Sequence, residues 1–450
     1  MKTLVNKLHA RLGDFWWYSL LLFAALRIGD VINAVVGLWL VPKYVGQEQL
    51  GAVLPLTQFA ASVGAPMSIL VYVFSKMLVQ YQTKGEHGKV KSMLIWSLSI
   101  AVGIVILTSI VTILILPHYF ERLRVDSGSL TALIILSGLL GSVAPVFNSA
   151  LQGLKKFNTI TFVNLISAPV RLITMLVAMP FRALSGYMLG QSAAPFVSIV
   201  AACVALRKNL AKSVKAVSFW REDGRQIARY ASMVSVTTLV GAICTPIMAM
   251  IVRQRLPEFE SAAYYMLSRF AELATYAGQT MLVVIFPFIA ESQEKGKNPV
   301  KYLVHSSLGM TAFGFVVTLA FAVGGKWLFN LIPTCRPFVG LMPELVIMSV
   351  YMITCVLWSN LTAYETARGR FRYYFIYGGP ITILQTAFLV CFTGYTFFNG
   401  ILPASIVDWM SSLKIASLRN FLWAQLAFNI LRLAFGATDI YLQNRTIKNQ

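Results

Sequence analysis

Four arginines (Arg27, Arg171, Arg269 and Arg432) and two acids (Asp30 and Glu272) stand inside otherwise apolar runs. A guanidinium is a planar fork of donors that stays charged and grips phosphate oxygens in pairs, whereas an acidic site suits a cationic guest. The excess is basic, so these residues predict capture of an anionic, phosphate-bearing group. Asp30 and Glu272 add the chemistry of a titrating carboxyl, able to couple a proton or sodium ion to movement, since burial raises a carboxyl pKa and a nearby arginine lowers it. Each charge belongs to a stripe of polar or small residues at intervals of three and four, the spacing of one helix face. The stripes are Arg27, Asp30, Asn33 and Gly37; Asn164, Ser167, Arg171 and Thr174; Arg269, Glu272, Tyr276 and Gln279; and Gln425, Asn429 and Arg432. Four polar faces predict one hydrated route. The plainer alternative is that Arg27 with Asp30, and Arg269 with Glu272, neutralise each other within a helix and serve packing alone. Arg432 either joins the route or snorkels to the membrane edge.

The elements that carry these stripes are about a dozen apolar stretches, each near the roughly 20 residues of helix needed to cross a bilayer. Hydrophobic residues make up 57% of the 450-residue chain and charged residues 12%, which predicts an all-α polytopic membrane protein. The expected spans are 16–41, 50–79, 90–116, 130–151, 160–179, 184–206, 229–251, 263–290, 302–331, 345–363, 374–397 and 418–435. Alternate gaps between them hold 24 of the 38 lysines and arginines and the opposite gaps 10. The positive-inside rule then predicts that both termini are cytoplasmic, in a cell membrane. The first run follows a basic arm but continues past Arg27 and Asp30 without a small-residue cleavage site, so it reads as a retained span.

The formal charge of +21 follows from the same rule and from anionic lipid head groups as partners, so nucleic acid is not expected. Catalysis has little support. The four histidines are isolated and no metal-spaced or phosphate-loop motif occurs, so no cofactor or metal is expected and the chain does not read as an enzyme. The five cysteines lie singly, mostly in apolar runs, as small hydrophobes. Tyrosines at 264, 265, 276, 373, 374 and 377 read as an aromatic belt at the membrane interface.

A basic connection after the sixth span divides the chain into halves, expected as an N-lobe 1–206, a cytoplasmic linker 207–228 and a C-lobe 229–450. A repeat is suggested by Gly153 to Phe157 (GLKKF) and Ala367 to Phe371 (ARGRF), each followed by a proline in the next span, Pro169 and Pro380. Two bundles of like topology leave a cavity between them, as in alternating-access transporters.

The segment Pro42 to Gly51 (PKYVGQEQLG) resembles the turn after the first helix in the multidrug/oligosaccharidyl-lipid/polysaccharide flippase superfamily. Leu151 to Phe157, Glu260 to Arg269 and Ala367 to Phe371 are similar to segments of its polysaccharide flippases, and Arg171 falls where a helix of that branch often carries arginine. The resemblance implies a V-shaped, MATE-like fold of about twelve helices in two six-helix lobes. It also implies movement of a polyprenyl-diphosphate-linked oligosaccharide from the cytoplasmic to the outer leaflet, with H+ or Na+ as counter-ion and glycan polymerases as partners. Arg27, Arg171 and Arg269 would meet the diphosphate, Asn33, Asn164 and Gln279 would line the cavity, and Asp30 and Glu272 would orient or couple. Met248 stands where many relatives carry an aspartate, so that acid's role does not transfer. Lipid II flippases usually have two further helices, which points to the O-antigen and exopolysaccharide branch. An ion-coupled exporter of organic cations and a lipid II flippase are the alternatives.

Overall fold

The computed structural model describes residues 26–83, 85–123, 130–153, 156–210, 217–218, 220–276, 278, 289, 300–367, 371–392 and 417–448. Among the described residues the regular elements are all helical. The first helix, α1, is Leu26–Val45. It is followed by α2 (Gln47–Val63), α3 (Ala65–Thr83), α4 (His87–Leu123), α5 (Leu130–Gly153), α6 (Phe157–Ala178), α7 (Ala183–Leu210) and α8 (Trp220–Arg255). Then come α9 (Glu258–Ala271), α10 (Val300–Leu331), α11 (Met342–Ala367), α12 (Gly379–Phe392) and α13 (Leu418–Lys448).

Among the described residues, ten helical segments are long and apolar enough to cross a membrane. Two of the twelve expected spans are missing from that set, for different reasons. The expected span 50–79 is divided at Gly64 into α2 and α3. A methyl added at Gly64 would lie 2.9 Å from Ser142 Cβ, so the break lets α5 come close. The expected span 263–290 is described as helix only through α9 and the 3-10 segment Glu272–Thr275, and its later residues lie largely outside the described ones. The helix expected from 229 begins earlier, at Trp220. The apolar side chains turned outward, Leu114 and Val323 on helices and Phe181 in the turn between α6 and α7, at 74%, 82% and 85% exposure, match a hydrocarbon solvent and not water. This is a multi-pass, all-helical membrane protein.

The chain forms two compact units, Met1–Val36 with Leu56–Ala242, and Gly37–Pro55 with Ile243–Gln450. In the first, α6 and α5 pack on α7, and α3 packs on α4 and α5. Its core joins Met67, Phe74 and Leu78 of α3 to Met93 of α4, Leu151 of α5, Leu206 of α7 and Ile227 of α8. One end of that core is closed by charge. Lys89 of α4 lies 2.5 Å from Glu222, 3.7 Å from Asp223 and 3.1 Å from Glu86, and the Tyr81 hydroxyl donates to Asp223 at 2.7 Å. Burial and the Asp223 carboxylate push the Tyr81 phenol above its ordinary pKa, which keeps it a donor. Trp96 and Trp220 meet edge to face beside this clasp, with centroids 4.8 Å apart.

In the second unit α11 is central, packed by α9, α10 and α13, and α12 packs on α13. Phe270 of α9 stacks on Phe329 of α10 at 4.5 Å. Asn360 of α11, fully buried, donates to Ser306 and Ser307 of α10 at 2.8 and 2.9 Å, a polar tie between two otherwise apolar helix faces.

Candidate functional site

In the first unit the expected stripes supply a charged pair and a polar face on neighbouring helices. Arg27 Nη1 lies 3.1 Å from Asp30 Oδ2, one turn along α1, with both side chains about three-quarters buried. Gly29, between them, faces α6: a methyl there would lie 3.8 Å from Ala168 Cβ. Ala168 is one turn from both Asn164 and Arg171, which are half-buried. Two of the expected stripes therefore sit on adjoining helices. The hydroxyls of Ser167 and Thr174 in the α6 stripe donate to carbonyls of their own helix. Asn33 is exposed on α1.

Where α1 enters the second unit it is wound as a π-helix, Val36–Leu40, before its last turn. Such a segment loosens the carbonyls of the helix, and π-segments recur at functional sites. Here the Leu38 carbonyl accepts from the Thr334 hydroxyl at 2.9 Å and the Gly37 carbonyl from Tyr265 at 3.4 Å. Gly37 also makes room for Arg269: a methyl at 37 would lie 3.0 Å from Arg269 Cδ. Arg269 pairs with Glu272 at 3.0 Å and its guanidinium stands 5.4 Å from the Tyr265 ring centroid. Glu272 opens a 3-10 segment, so the pair sits where α9 stops being regular. Gly37 and Arg269, members of two separate stripes, are thus in contact. Gln279 lies outside the described residues.

The fourth stripe turns inward. Gln425, Asn429 and Arg432 are 1%, 2% and 7% exposed, and each is held by another helix of the unit. Gln425 accepts from Tyr264 of α9 at 3.4 Å. Asn429 donates to Thr354 and Cys355 of α11 at 3.2 and 3.0 Å. Arg432 donates to Gln385 of α12 and lies 4.9 Å from the Trp358 ring of α11. The snorkelling alternative for Arg432 is overturned by this burial. The aromatic belt is corrected as well: Tyr264, Tyr265, Tyr373 and Tyr374 are at most 8% exposed, and Tyr373 donates to the Arg432 carbonyl at 2.8 Å. These rings bury their bodies in the unit and spend their hydroxyls on its polar groups.

Sequence reasoning passes over Gln385 because its apolar run holds no charged residue to mark a stripe. Its signal is Thr382, Gln385 and Thr386 at helical spacing in an apolar run. Glu344 and Asp439 escape it too, since both stand near span ends. They are buried and paired, with Arg419 at 2.7 Å and Arg372 at 3.6 Å.

No protein-family model and no curated protein sequence matches the chain. Solved structures do. A multidrug resistance MATE family transporter of the MOP superfamily, in an inward-facing conformation, aligns over 93% of this chain and 96% of its own, with a TM-score of 0.69 at 13% identity. The chain has the MATE fold. A variant of the Vibrio cholerae MATE transporter VcmN aligns over 98% of both chains at a TM-score of 0.63 and 15% identity. A MATE structure in the straight conformation aligns over 95% of both at 0.60 and 13%. The MATE fold thus covers nearly the whole chain.

Proposed function

We propose that this protein is an alternating-access flippase carrying a polyprenyl-diphosphate-linked oligosaccharide from the cytoplasmic to the outer leaflet. The observation that carries the reading is that both mid-span acids are engaged by an arginine of the same helix, Asp30 by Arg27 at 3.1 Å and Glu272 by Arg269 at 3.0 Å. An organic cation needs a carboxylate whose charge is not already answered, while a diphosphate finds several guanidinium groups. In this reading Arg27, Arg171 and Arg269 receive the diphosphate, and Asn33, Asn164 and Gln279 hydrogen-bond the glycan in water. Asp30 and Glu272 hold their arginines in place or pass an H+ or Na+ counter-ion. The polyprenyl tail stays in lipid, and a membrane-bound glycan polymerase is the partner that would consume the product.

A second reading, export of organic cations coupled to an ion gradient, draws support from the multidrug resistance transporter with which the chain shares its fold at a TM-score of 0.69. One experiment separates the two. Proteoliposomes are loaded with either a fluorescent polyprenyl-diphosphate oligosaccharide or a fluorescent cation, and movement is followed under imposed H+ and Na+ gradients. The flippase reading expects the lipid-linked glycan to move and Arg269→Ala and Arg171→Ala to abolish that movement without loss of folded protein. Cation export with no glycan movement would transfer the assignment to the second reading.

A further inference from the structure

Arg432 is the most deeply buried of the four arginines inside apolar runs, and it is not used by either reading above. Among the described residues no carboxylate lies within ion-pair distance of it. The buried acids of its surroundings are engaged elsewhere: Asp439 faces Arg372 at 3.6 Å, and Glu365 accepts from the Tyr373 backbone N–H at 3.5 Å. What holds Arg432 is neutral. One Nη donates to Gln385 Oε1, and the guanidinium lies over Trp358, 4.9 Å from its centroid. The ring quadrupole and one amide oxygen offset only part of the cost of a charge removed from water.

Two further donors are left over. Arg432 Nε and Gln385 Nε2 are both buried and, among the described residues, both lack a hydrogen-bond partner. The orientation of the Gln385 amide is forced, because a guanidinium only donates and so takes the oxygen, leaving the NH2 as a further donor. The hydroxyls flanking Gln385 are committed to their own helix, Thr382 to the Gly378 carbonyl at 2.7 Å and Thr386 to the Thr382 carbonyl at 2.9 Å. Asn429, one turn before Arg432, spends its amide on Thr354 and Cys355. A positive charge with two unanswered donors, walled by an aromatic ring and hydroxyls that are already satisfied, is built to receive an acceptor with a negative charge. Burial to 7% exposure for Arg432 and 1% for Gln385 keeps a large one out.

We propose that Arg432 and Gln385 bind a small monovalent anion of halide size inside the second unit, where it serves as the counter-charge of the buried guanidinium. The anion fastens α12 to α13 and is independent of what the protein transports. A ligand that binds only the folded state raises its melting temperature, in proportion to the logarithm of its concentration once above Kd.

The test uses the purified full chain in nanodiscs at constant ionic strength, with chloride replaced stepwise by gluconate. Wild type is expected to gain a rise in Tm of a few degrees in chloride or bromide, growing with the logarithm of halide concentration. Gln385→Glu places a tethered carboxylate beside the guanidinium and is expected to remove the halide dependence while melting, in gluconate, at least as high as wild type. Equal Tm values for wild type in chloride and gluconate, or the same halide dependence in Gln385→Glu, would overturn the proposal. Should that variant not fold, iodide quenching decides: bound iodide quenches Trp358 saturably, so wild type shows a quenched component that Trp358→Phe lacks. The same quenching curve in both would also sink it.

Discussion

At the scale of single residues, two i,i+3 pairs look alike and differ in what surrounds them. Arg27 and Asp30 lie three-quarters buried on a regular part of α1, whereas Arg269 and Glu272 straddle the end of α9, with Arg269 pressed against Gly37. If Asp30 only neutralises Arg27, Asp30→Asn costs about 0–1 kcal/mol, since a partly solvated pair is worth little, and leaves translocation unchanged. If it carries the counter-ion, the same substitution uncouples movement from the gradient with equally little change in Tm. Measuring both in one preparation distinguishes the roles. Gly37→Val is expected to push Arg269 off Glu272, because even a single methyl reaches 3.0 Å from Arg269 Cδ. The expected result is at least a tenfold loss of translocation in the proteoliposome assay with the protein still folded, and unchanged transport would remove Arg269 from the site.

Among the elements, close approach of helices is hidden from sequence and decided by glycines. Gly138 of α5 packs on the end of α2, where a methyl would lie 2.9 Å from both the Ala60 carbonyl oxygen and Val63 Cβ. Backbone cannot step aside as a long side chain can, so Gly138→Ala is expected to cost about 1–3 kcal/mol. Gly141, one turn on, has nothing within 4 Å of its added methyl, and Gly141→Ala should not lower Tm; equal melting of the two variants would refute the packing argument. The clasp at the start of α8 gives a different signature. Lys89 holds three carboxylates, so Lys89→Ala should lower Tm in low salt and flatten its dependence on ionic strength. A variant that kept the wild-type salt response would show that the clasp adds nothing to stability. Both effects are local to the first unit.

For the whole molecule, the outward display of side chains such as Phe181 and Val323 predicts that the protein stays with the membrane through an alkaline carbonate wash, and release into the supernatant would contradict the multi-pass assignment. Most of that is legible in the sequence. Apolar runs of bilayer length are a property of composition and order, so the helical membrane class follows from them directly. The charged pairs follow too, because residues three apart on a helix are neighbours whatever else the chain does. Contacts between distant segments are not legible. That Tyr264 meets Gln425, 161 residues away, that Arg432 meets Gln385 and Trp358 instead of the membrane edge, and that Gly64 divides the second span against Ser142 each depend on which helix lies beside which. Hydropathy and spacing are summed along one helix, and they determined the class, most of the spans and the in-helix pairs of this protein. Only the packing of one helix on another decided which polar groups are buried together, because a polar residue in an apolar run looks the same whether it faces lipid, water or a partner helix.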